Sequence, residues 1–229
     1  FASIDKLSSR LGVSAQTIRR DIMYLEELEK VVRHHGGAGI RSSIVNVNYQ
    51  DRHTLRAEAK SLLADQIASA IPAKCSLFIG GGTTMEAVAK SLIKYNDHKI
   101  ITNSLHVAGI LNGNESFEVI ITAGTIRKTN GIIFGPDTVA SVNKFRCDFA
   151  IIGCGGIESD GVFLDFHSQD VATYRMMISN SRQAFVGADK SKIPGKANVL
   201  VATAEEIDAL YTDILPPTSL MEVLSAKGV

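Results

Sequence analysis

A run of three glycines, set between two segments of opposite character, most constrains what this chain can fold into. The segment before it, 76–79, is short, apolar and partly β-branched, which predicts a buried strand. The segment after it, 85–93, is rich in helix formers. It places Met85, Val88, Ala89 and Leu92 on one stripe at helical spacing. The sequence therefore predicts a strand, a glycine turn and a helix.

The turn, Gly80-Gly81-Gly82-Thr83-Thr84, has the chemistry of an anion site. Glycines let a ligand approach the backbone, and a threonine can cap the helix, whose free N–H groups favour a phosphate. The alternative is a tight connection without a ligand, because the spacing of the dinucleotide-binding fingerprint is missing and no lysine follows as in a P-loop. The turn alone leaves both interpretations open.

Charge is unevenly distributed along the chain. The whole sequence has 24 basic and 24 acidic residues, whereas residues 1–60 carry ten Lys/Arg against seven Asp/Glu. This N-terminal excess suits a contact with nucleic acid. No apolar run approaches the ~20 residues that span a bilayer, and no signal-peptide pattern is present, so we expect a cytoplasmic protein without a membrane partner. The cysteines Cys75, Cys147 and Cys154 lack metal-site spacing, so we expect reduced thiols and neither metal nor cofactor.

The N-terminal forty residues have the pattern of a helix-turn-helix. Residues 4–11 predict a short helix with Ile4, Leu7 and Leu11 inward, and Gly12 breaks it. Ser14 is a good N-cap for a second helix from Ala15 to about Leu28. Residues 31–38 follow as two β-branched residues, a basic triplet and a glycine turn, which predict the hairpin wing of a winged helix.

Polar side chains on the second helix and the wing are suited to DNA. Glutamine can read adenine and arginine can read guanine, and basic side chains along a wing can contact phosphates. The alternative is a solvated helix face on which Arg19 and Arg20 pair with acids such as Asp21. We predict DNA contacts from Ser14, Gln16, Thr17, Arg19, Arg20, Arg33, His34 and His35.

The rest of the chain alternates strands with helices. Strands are predicted at 76–79, 100–102, 117–122, 148–152, 184–187, 199–202 and 210–212, and helices at 57–71, 85–93, 105–111, 137–145, 168–181 and 219–226. This order predicts a mostly parallel, doubly wound α/β sheet. Small polar residues recur where the strands end, which is the edge at which such sheets bind ligands. We predict an effector site formed by Gly80, Gly81, Gly82, Thr83, Thr84, Thr102, Asn103, Ser104, Gly124, Gly153, Gly155, Asp189 and Lys192.

Two sets of runs resemble the DeoR family of bacterial repressors. Residues 13–22 with 33–38 resemble its DNA-binding signature; Gly82-Thr83-Thr84, 102–105, 149–157 and 189–192 resemble its sensor domain, which is related to ribose-5-phosphate isomerase. The resemblance implies a winged helix-turn-helix at 1–40, a linker at 41–56 and an effector-sensing domain at 57–229. Because the chain begins at Phe1, we expect that the natural N-terminus and most of the family's first helix are missing.

The resemblance also implies function. It implies a repressor of a carbon-metabolism operon that binds an operator in double-stranded DNA and responds to a phosphorylated metabolite, with glycerol 3-phosphate favoured over another sugar phosphate. We further expect a homodimer or homotetramer, because one winged helix buries a modest DNA interface. The chain departs from the family at Gly80, where an acid is usual, at Thr125, usually a second glycine, and at Asp170 and Tyr174, usually Glu and Lys.

Two alternative functions are an enzyme and, in view of these departures, a DNA-binding scaffold with a degenerate pocket. A sugar-phosphate isomerase with a DNA-binding appendage would need a base beside the substrate carbon. Carboxylates and a histidine that could act as that base are present, but no two of them form a catalytic motif, so we predict that the protein is not an enzyme. These candidate bases are Asp165, His167, Asp170 and Asp189.

Overall fold

The computed structural model describes residues 2–27, 31–34, 36–39 and 48–229. The chain divides into two compact units, Phe1–Val45 and Asn46–Val229. The first unit contains β1 (Ala2–Ser3), α1 (Ile4–Leu11), α2 (Ala15–Glu27), β2 (Val32–His34) and β3 (Gly37–Gly39). Its three strands form an antiparallel sheet in the order β1-β3-β2.

The first unit confirms the predicted helix-turn-helix with a hairpin wing. Gly12 ends α1 in the left-handed conformation, φ 66°, which glycine adopts without a steric penalty. Ile18 and Ile22 of α2 pack with Ala38 of β3 into a small core. One inward prediction is wrong: Leu11 is 62% exposed, because it lies in the last turn of α1 beyond that core.

The second unit begins with a helix where the sequence predicted a linker. Helix α3 spans Tyr49–Thr54, and the side chain of Asn48 caps it by accepting the Gln50 N–H. The prediction of a linker over 41–56 therefore fails at 49–54; residues 41–47 lie outside the described residues. Only Tyr49 of this short helix is buried, so its sequence has no apolar period that could have revealed it.

The remaining elements alternate as the sequence predicted, with several short strands added. They are α4 (Ala57–Ala70), β4 (Ser76–Ile79), α5 (Thr83–Leu92), β5 (Lys99–Thr102), α6 (Leu105–Leu111), β6 (Glu118–Ile121), β7 (Thr125–Ile126), β8 (Ile133–Phe134), α7 (Pro136–Val142), β9 (Cys147–Gly153), β10 (Gly156–Ile157), β11 (Val162–Asp165), α8 (Ser168–Ser179), β12 (Ser181–Gly187), β13 (Val199–Thr203), β14 (Ala209–Tyr211) and α9 (Thr218–Ala226).

Six strands form a parallel sheet in the order β14-β12-β9-β4-β5-β6. Successive residues of β4 face opposite cores, as the period of a strand requires. Leu77 packs in one core with Leu63 of α4 and Met85 of α5, and Phe78 packs in the other with Met177 of α8. Helices therefore cover both faces, which confirms the doubly wound sheet.

The strand predicted at 199–202 is present as β13, but it is not part of the six-stranded parallel sheet. It pairs antiparallel with β11, Asp165 opposite Val199, in a small sheet of order β10-β11-β13. Strand β10 has only two residues, too few to give a sequence pattern, and β11 was not predicted either, so the second sheet was missed. Across the described ranges, no helix is long and apolar enough to cross a membrane.

Candidate functional site

The predicted DNA-contacting face of α2 is presented to solvent. Ser14 caps the helix, because its Oγ accepts the Thr17 N–H at 3.1 Å and lies 2.9 Å from Thr17 Oγ1. Gln16 and Arg19 are exposed. Arg20 Nε lies 4.0 Å from Asp21 Oδ1, the pairing expected of a solvated face, but both side chains are more than half exposed. Such a pair is worth less than ~1 kcal/mol and leaves the guanidinium free to be recruited by a phosphate.

The wing adds basic side chains. Strands β2 and β3 form the hairpin, with Arg33 opposite Ala38 and His34 opposite Gly37. Arg33 and His34 are exposed, whereas His35 lies outside the described residues. Exposed basic side chains on a two-stranded wing are suited to the phosphate backbone rather than to base edges.

The glycine turn lies at the carboxyl end of β4, near the middle of the parallel sheet. Gly80 continues the strand, donating its N–H to Ile151 O at 3.0 Å. At position 81 there is no space for a side chain, because an added Cβ would lie 2.6 Å from Cγ1 of Ile132. Gly82 has φ 110° and precedes α5 with open space around its missing Cβ. The backbone that precedes α5 therefore carries no side chains that would keep a ligand away from it.

Helix α5 begins without a side-chain cap. The N–H groups of Thr83, Thr84 and Met85 precede the first intrahelical bond, from Glu86 N to Gly82 O, so they have no helical acceptor. Thr83 is buried and Thr84 half-buried. N–H groups without an acceptor in the helix, together with the helix dipole, make this end a suitable place for an anion.

The predicted site residues after β5 make hydrogen bonds within the protein. Thr102 Oγ1 accepts the Ser104 N–H at 3.1 Å, and Ser104 Oγ caps α6 by accepting the Val107 N–H at 3.3 Å. Asn103 donates through Nδ2 to Ile133 O at 3.0 Å, and its Oδ1 is buried without a partner among the described residues. All three side chains are fully buried, so they hold the turn in place and offer a ligand no surface.

The other predicted glycines differ in role. Gly124 has φ 136°, and a Cβ there would stand 2.1 Å from Thr138 Oγ1, so it is a packing glycine. Gly155 is likewise fixed by the ring of Phe166, 2.7 Å from an added Cβ. Gly153 ends β9 beside Gly187 of β12, at the same edge as the glycine turn. Of these three glycines, only Gly153 has no close neighbour at the position of a missing Cβ, where the nearest atom is 3.8 Å away.

Asp189 and Lys192 follow β12 in one short turn. Asp189 is buried; its Oδ1 accepts the Ser191 N–H at 2.9 Å and lies 3.6 Å from Arg56 Nε. It therefore fixes the turn rather than contacting solvent. Lys192 is half-buried; burial raises the pKa of the Asp165 carboxyl, and the charge of Lys192 opposes that rise.

The structure adds two cations to the candidate site. Arg52 was predicted to lie in a linker, and Lys60 was not predicted as a site residue. Arg52 of α3 lies near Asp165 and Glu86, and its buried Nε has no hydrogen-bond partner in the described part of the chain. Lys60 of α4 is buried and donates to the carbonyls of Arg52 and Leu55. Burial lowers the pKa of both cations. The sequence signal that could have revealed them is the presence of basic residues just before and within the apolar helix α4.

Two further positions at which the chain departs from the expected family pattern, Asp170 and Tyr174, lie on α8. Arg127 binds both carboxylate oxygens of Asp170, at 2.6 and 2.9 Å, and its Cζ stacks 4.7 Å from the Phe134 ring centroid. Tyr174 is buried, and this burial, with the charges of Asp170 and Asp165, raises the pKa of its phenol well above its ordinary value. The Tyr174 ring faces Gly80.

The four candidate catalytic bases do not assemble into a catalytic set. Asp170 is held by Arg127, and Asp189 caps its own turn. Asp165 Oδ1 accepts the Phe166 N–H at 2.6 Å, while burial raises the pKa of its carboxyl. His167 is exposed at the start of α8. Within the described residues no cluster of His, Cys, Asp and Glu has the arrangement of a metal site.

Known proteins share this architecture. The family model of the DeoR-like helix-turn-helix domain matches residues 1–44, and that of the DeoR C terminal sensor domain matches residues 55–214. The fold is also similar to that of ribose 5-phosphate isomerase A from Methanocaldococcus jannaschii, with 12% identity and a TM-score of 0.45 over 59% of this chain and 54% of that one. This similarity concerns the fold alone.

Relatives of known role cover almost the whole chain. The glycerol-3-phosphate regulon repressor of Escherichia coli is 41% identical over 98% of this chain and 89% of its own length. The HTH-type transcriptional repressor CsqR of Escherichia coli is 40% identical over 100% of this chain and 88% of its own length. The names of these relatives support a regulator rather than an enzyme. The chain belongs to the DeoR family of DNA-binding transcriptional repressors.

Proposed function

We propose that this protein represses a carbon-metabolism operon and that a phosphorylated metabolite, with glycerol 3-phosphate favoured, binds its sensor domain. The glycerol-3-phosphate regulon repressors among its relatives support this choice of effector. In this proposal the DNA-binding domain is 1–40 and the sensor domain is 57–229, and α3 of the segment between them belongs to the sensor unit. A cytoplasmic location and a homodimer or homotetramer belong to the same proposal, because operator half-sites are commonly read by two copies.

One observation carries the proposal: an uncapped helix start, a bare glycine backbone and basic side chains meet at one edge of the sheet. A phosphate monoester carries about −1.5 to −2 charge at pH 7 and three strong acceptor oxygens. The N–H groups of Thr83 and Thr84 match the oxygens, and Arg52 and Lys192 match the charge. Because Arg52 Nε is buried and has no partner among the residues that the structure describes, an acceptor from the ligand would satisfy it.

The effector is tested by thermal unfolding and operator binding with glycerol 3-phosphate, glycerol and fructose 1-phosphate. A ligand at one hundred times its Kd stabilises the native state by ~2.7 kcal/mol, so glycerol 3-phosphate should raise Tm clearly and loosen DNA binding. Glycerol lacks the anion and should do neither. A response to fructose 1-phosphate alone would retain the site and reject the effector, and no response to any phosphate would reject the site.

Thr84→Val tests the geometry of the turn. Valine is nearly isosteric but lacks the hydroxyl, so the variant should bind glycerol 3-phosphate about 5- to 30-fold more weakly, as expected for a lost hydrogen bond to a charged group. Operator affinity without effector should be unchanged. The matched control is Thr218→Val, at the start of the distant helix α9, which should respond like the parent protein. Equal effector affinity in both variants would show that Thr84 does not contact the ligand.

A further inference from the structure

Helix α3 is bound to the first turn of α5 through a buried carboxylate. Tyr49 donates its hydroxyl to Glu86 Oε1 at 2.5 Å, and His53 Nε2 lies 3.5 Å from Glu86 Oε2. Glu86 is 4% exposed, and the Tyr49 side chain is buried as well. Both carboxylate oxygens are therefore engaged by α3, although Glu86 lies at the helix end where the effector is proposed to bind.

The opposite end of α3 is bound to the other side of the same site. Lys60 donates to the carbonyls of Arg52 and Leu55, which are the C-terminal carbonyls of α3 and its cap. Two residues beyond α3, Arg56 contacts Asp189, which fixes the turn that carries Lys192. The segment 49–56 thus links the first turn of α5 to the turn that carries Lys192, and a ligand that moves either of them acts on this segment.

A phosphate and Glu86 compete for the same positive charge. Both are stabilised by the N-terminus of α5, and two like charges in one partly buried site disfavour each other. A phosphate at the Thr83 and Thr84 N–H groups adds about −1.5 to −2 charge within a turn of Glu86. Movement of the carboxylate away from the helix end relieves this repulsion, and that movement breaks its contacts with Tyr49 and His53.

Helix α3 is also the first described element after the DNA-binding unit. It begins at Tyr49, four residues after Val45, where that unit ends. We propose that α3 is the element through which the effector site controls DNA binding: the Tyr49–Glu86 contact holds α3 in the effector-free state, and a phosphate at the start of α5 displaces it. This inference rests on the proposed function and adds the route by which the bound phosphate is sensed.

Tyr49→Phe tests the contact. The variant keeps the ring, which stacks on His106 with centroids 5.4 Å apart, and loses only the hydroxyl. The measurement is the ratio of operator Kd with and without glycerol 3-phosphate, on a duplex selected from random DNA by the parent protein. Allosteric ratios are commonly about 5- to 150-fold. We expect the ratio to fall at least about fivefold, mainly because effector-free operator binding weakens, while glycerol 3-phosphate still raises Tm.

Glu86→Gln tests whether the negative charge of Glu86 repels the phosphate. It also provides a second test if Tyr49→Phe folds poorly. Glutamine can still accept from Tyr49 but does not repel a phosphate, so glycerol 3-phosphate should bind at least about threefold more tightly and release DNA less. Tyr95→Phe, beyond the far end of α5, is the control and should behave like the parent protein.

The outcomes separate the two proposals. If the parent protein responds to glycerol 3-phosphate and both variants keep its ratio of operator Kd values, α3 does not transmit the signal, although the effector site stands. If no phosphate raises the Tm of the parent protein, the proposed function fails and this inference fails with it. A reduced ratio in both variants, with the control unchanged, supports the role of α3.

Discussion

The ring of Tyr174 lies against Gly80, so that a Cβ added at Gly80 would stand 3.0 Å from Tyr174 Cε1. These two positions are also two of the four at which the chain departs from the family pattern. The contact gives the departures one physical cause, because an acidic side chain at position 80 has no space while Tyr174 fills it. We therefore predict that the residues at positions 80 and 174 are energetically coupled.

Gly80→Asp should consequently destabilise the protein by ~2–4 kcal/mol, because it forces a carboxylate against a buried ring and near Asp165 and Asp170. Adding Tyr174→Lys should restore at least ~1 kcal/mol, since it opens the space and supplies a counter-charge. Urea unfolding of the two single variants and the double variant gives this coupling energy. Strictly additive effects would refute the pairing.

Gly81→Ala should cost ~1–3 kcal/mol in unfolding free energy, because its Cβ would stand 2.6 Å from Ile132 Cγ1 in a well-packed turn. Gly109→Ala is the matched control. Gly109 lies within α6 with nothing inside 4 Å of an added Cβ, so alanine there should stabilise by ~0.5–1 kcal/mol. The same sign of change at both glycines would contradict the packing argument.

Arg19→Ala and Arg20→Ala should weaken operator binding and leave the Tm of the sensor domain unchanged, because both side chains project from α2 into solvent. An arginine that contacts phosphate should lower the salt slope of log K by about one, whereas one that reads a base should cost ~1–3 kcal/mol and relax sequence preference. Titration of operator and shuffled duplexes at several salt concentrations distinguishes these roles. Unchanged affinity and slope in both variants would remove α2 from the DNA interface.

Asp148→Asn should flatten the acid side of the stability curve. Asp148 Oδ2 accepts the Ser76 N–H at 2.9 Å and the Ser76 hydroxyl at 2.7 Å, and these bonds lower the pKa of the carboxyl. A lowered folded-state pKa gives stability that is present above the ordinary aspartate pKa of about 3.9 and is lost as pH falls through the folded-state pKa.

Because the Asp148 side chain is 40% exposed, we expect a loss of no more than ~1 kcal/mol at pH 7 in Asp148→Asn. The measurement is the urea-unfolding free energy from pH 7 to pH 3 for the parent protein and the variant. Parallel curves over that range would show that the Ser76 bonds do not favour the ionised form.

The sequence by itself determined the elements whose signals are local. The strand, glycine turn and helix around Gly82 and the helix capped by Ser14 follow from backbone freedom, capping and apolar period within a few residues. The alternation of strands and helices then led to the parallel sheet. The family pattern added the kind of ligand, and the relatives support it.

Only the tertiary structure decided which polar residues face the site. Thr102 and Ser104 carry the right chemistry but are fully buried in their own turn, whereas Arg52, expected in a linker, lies in α3 with a buried Nε and with its Cζ 5.6 Å from the Tyr49 ring centroid. Tyr49 and Glu86 are 37 positions apart and meet only after α3 packs on α5. Side-chain burial and pairing depend on packing between distant elements, which a local pattern of residues does not encode.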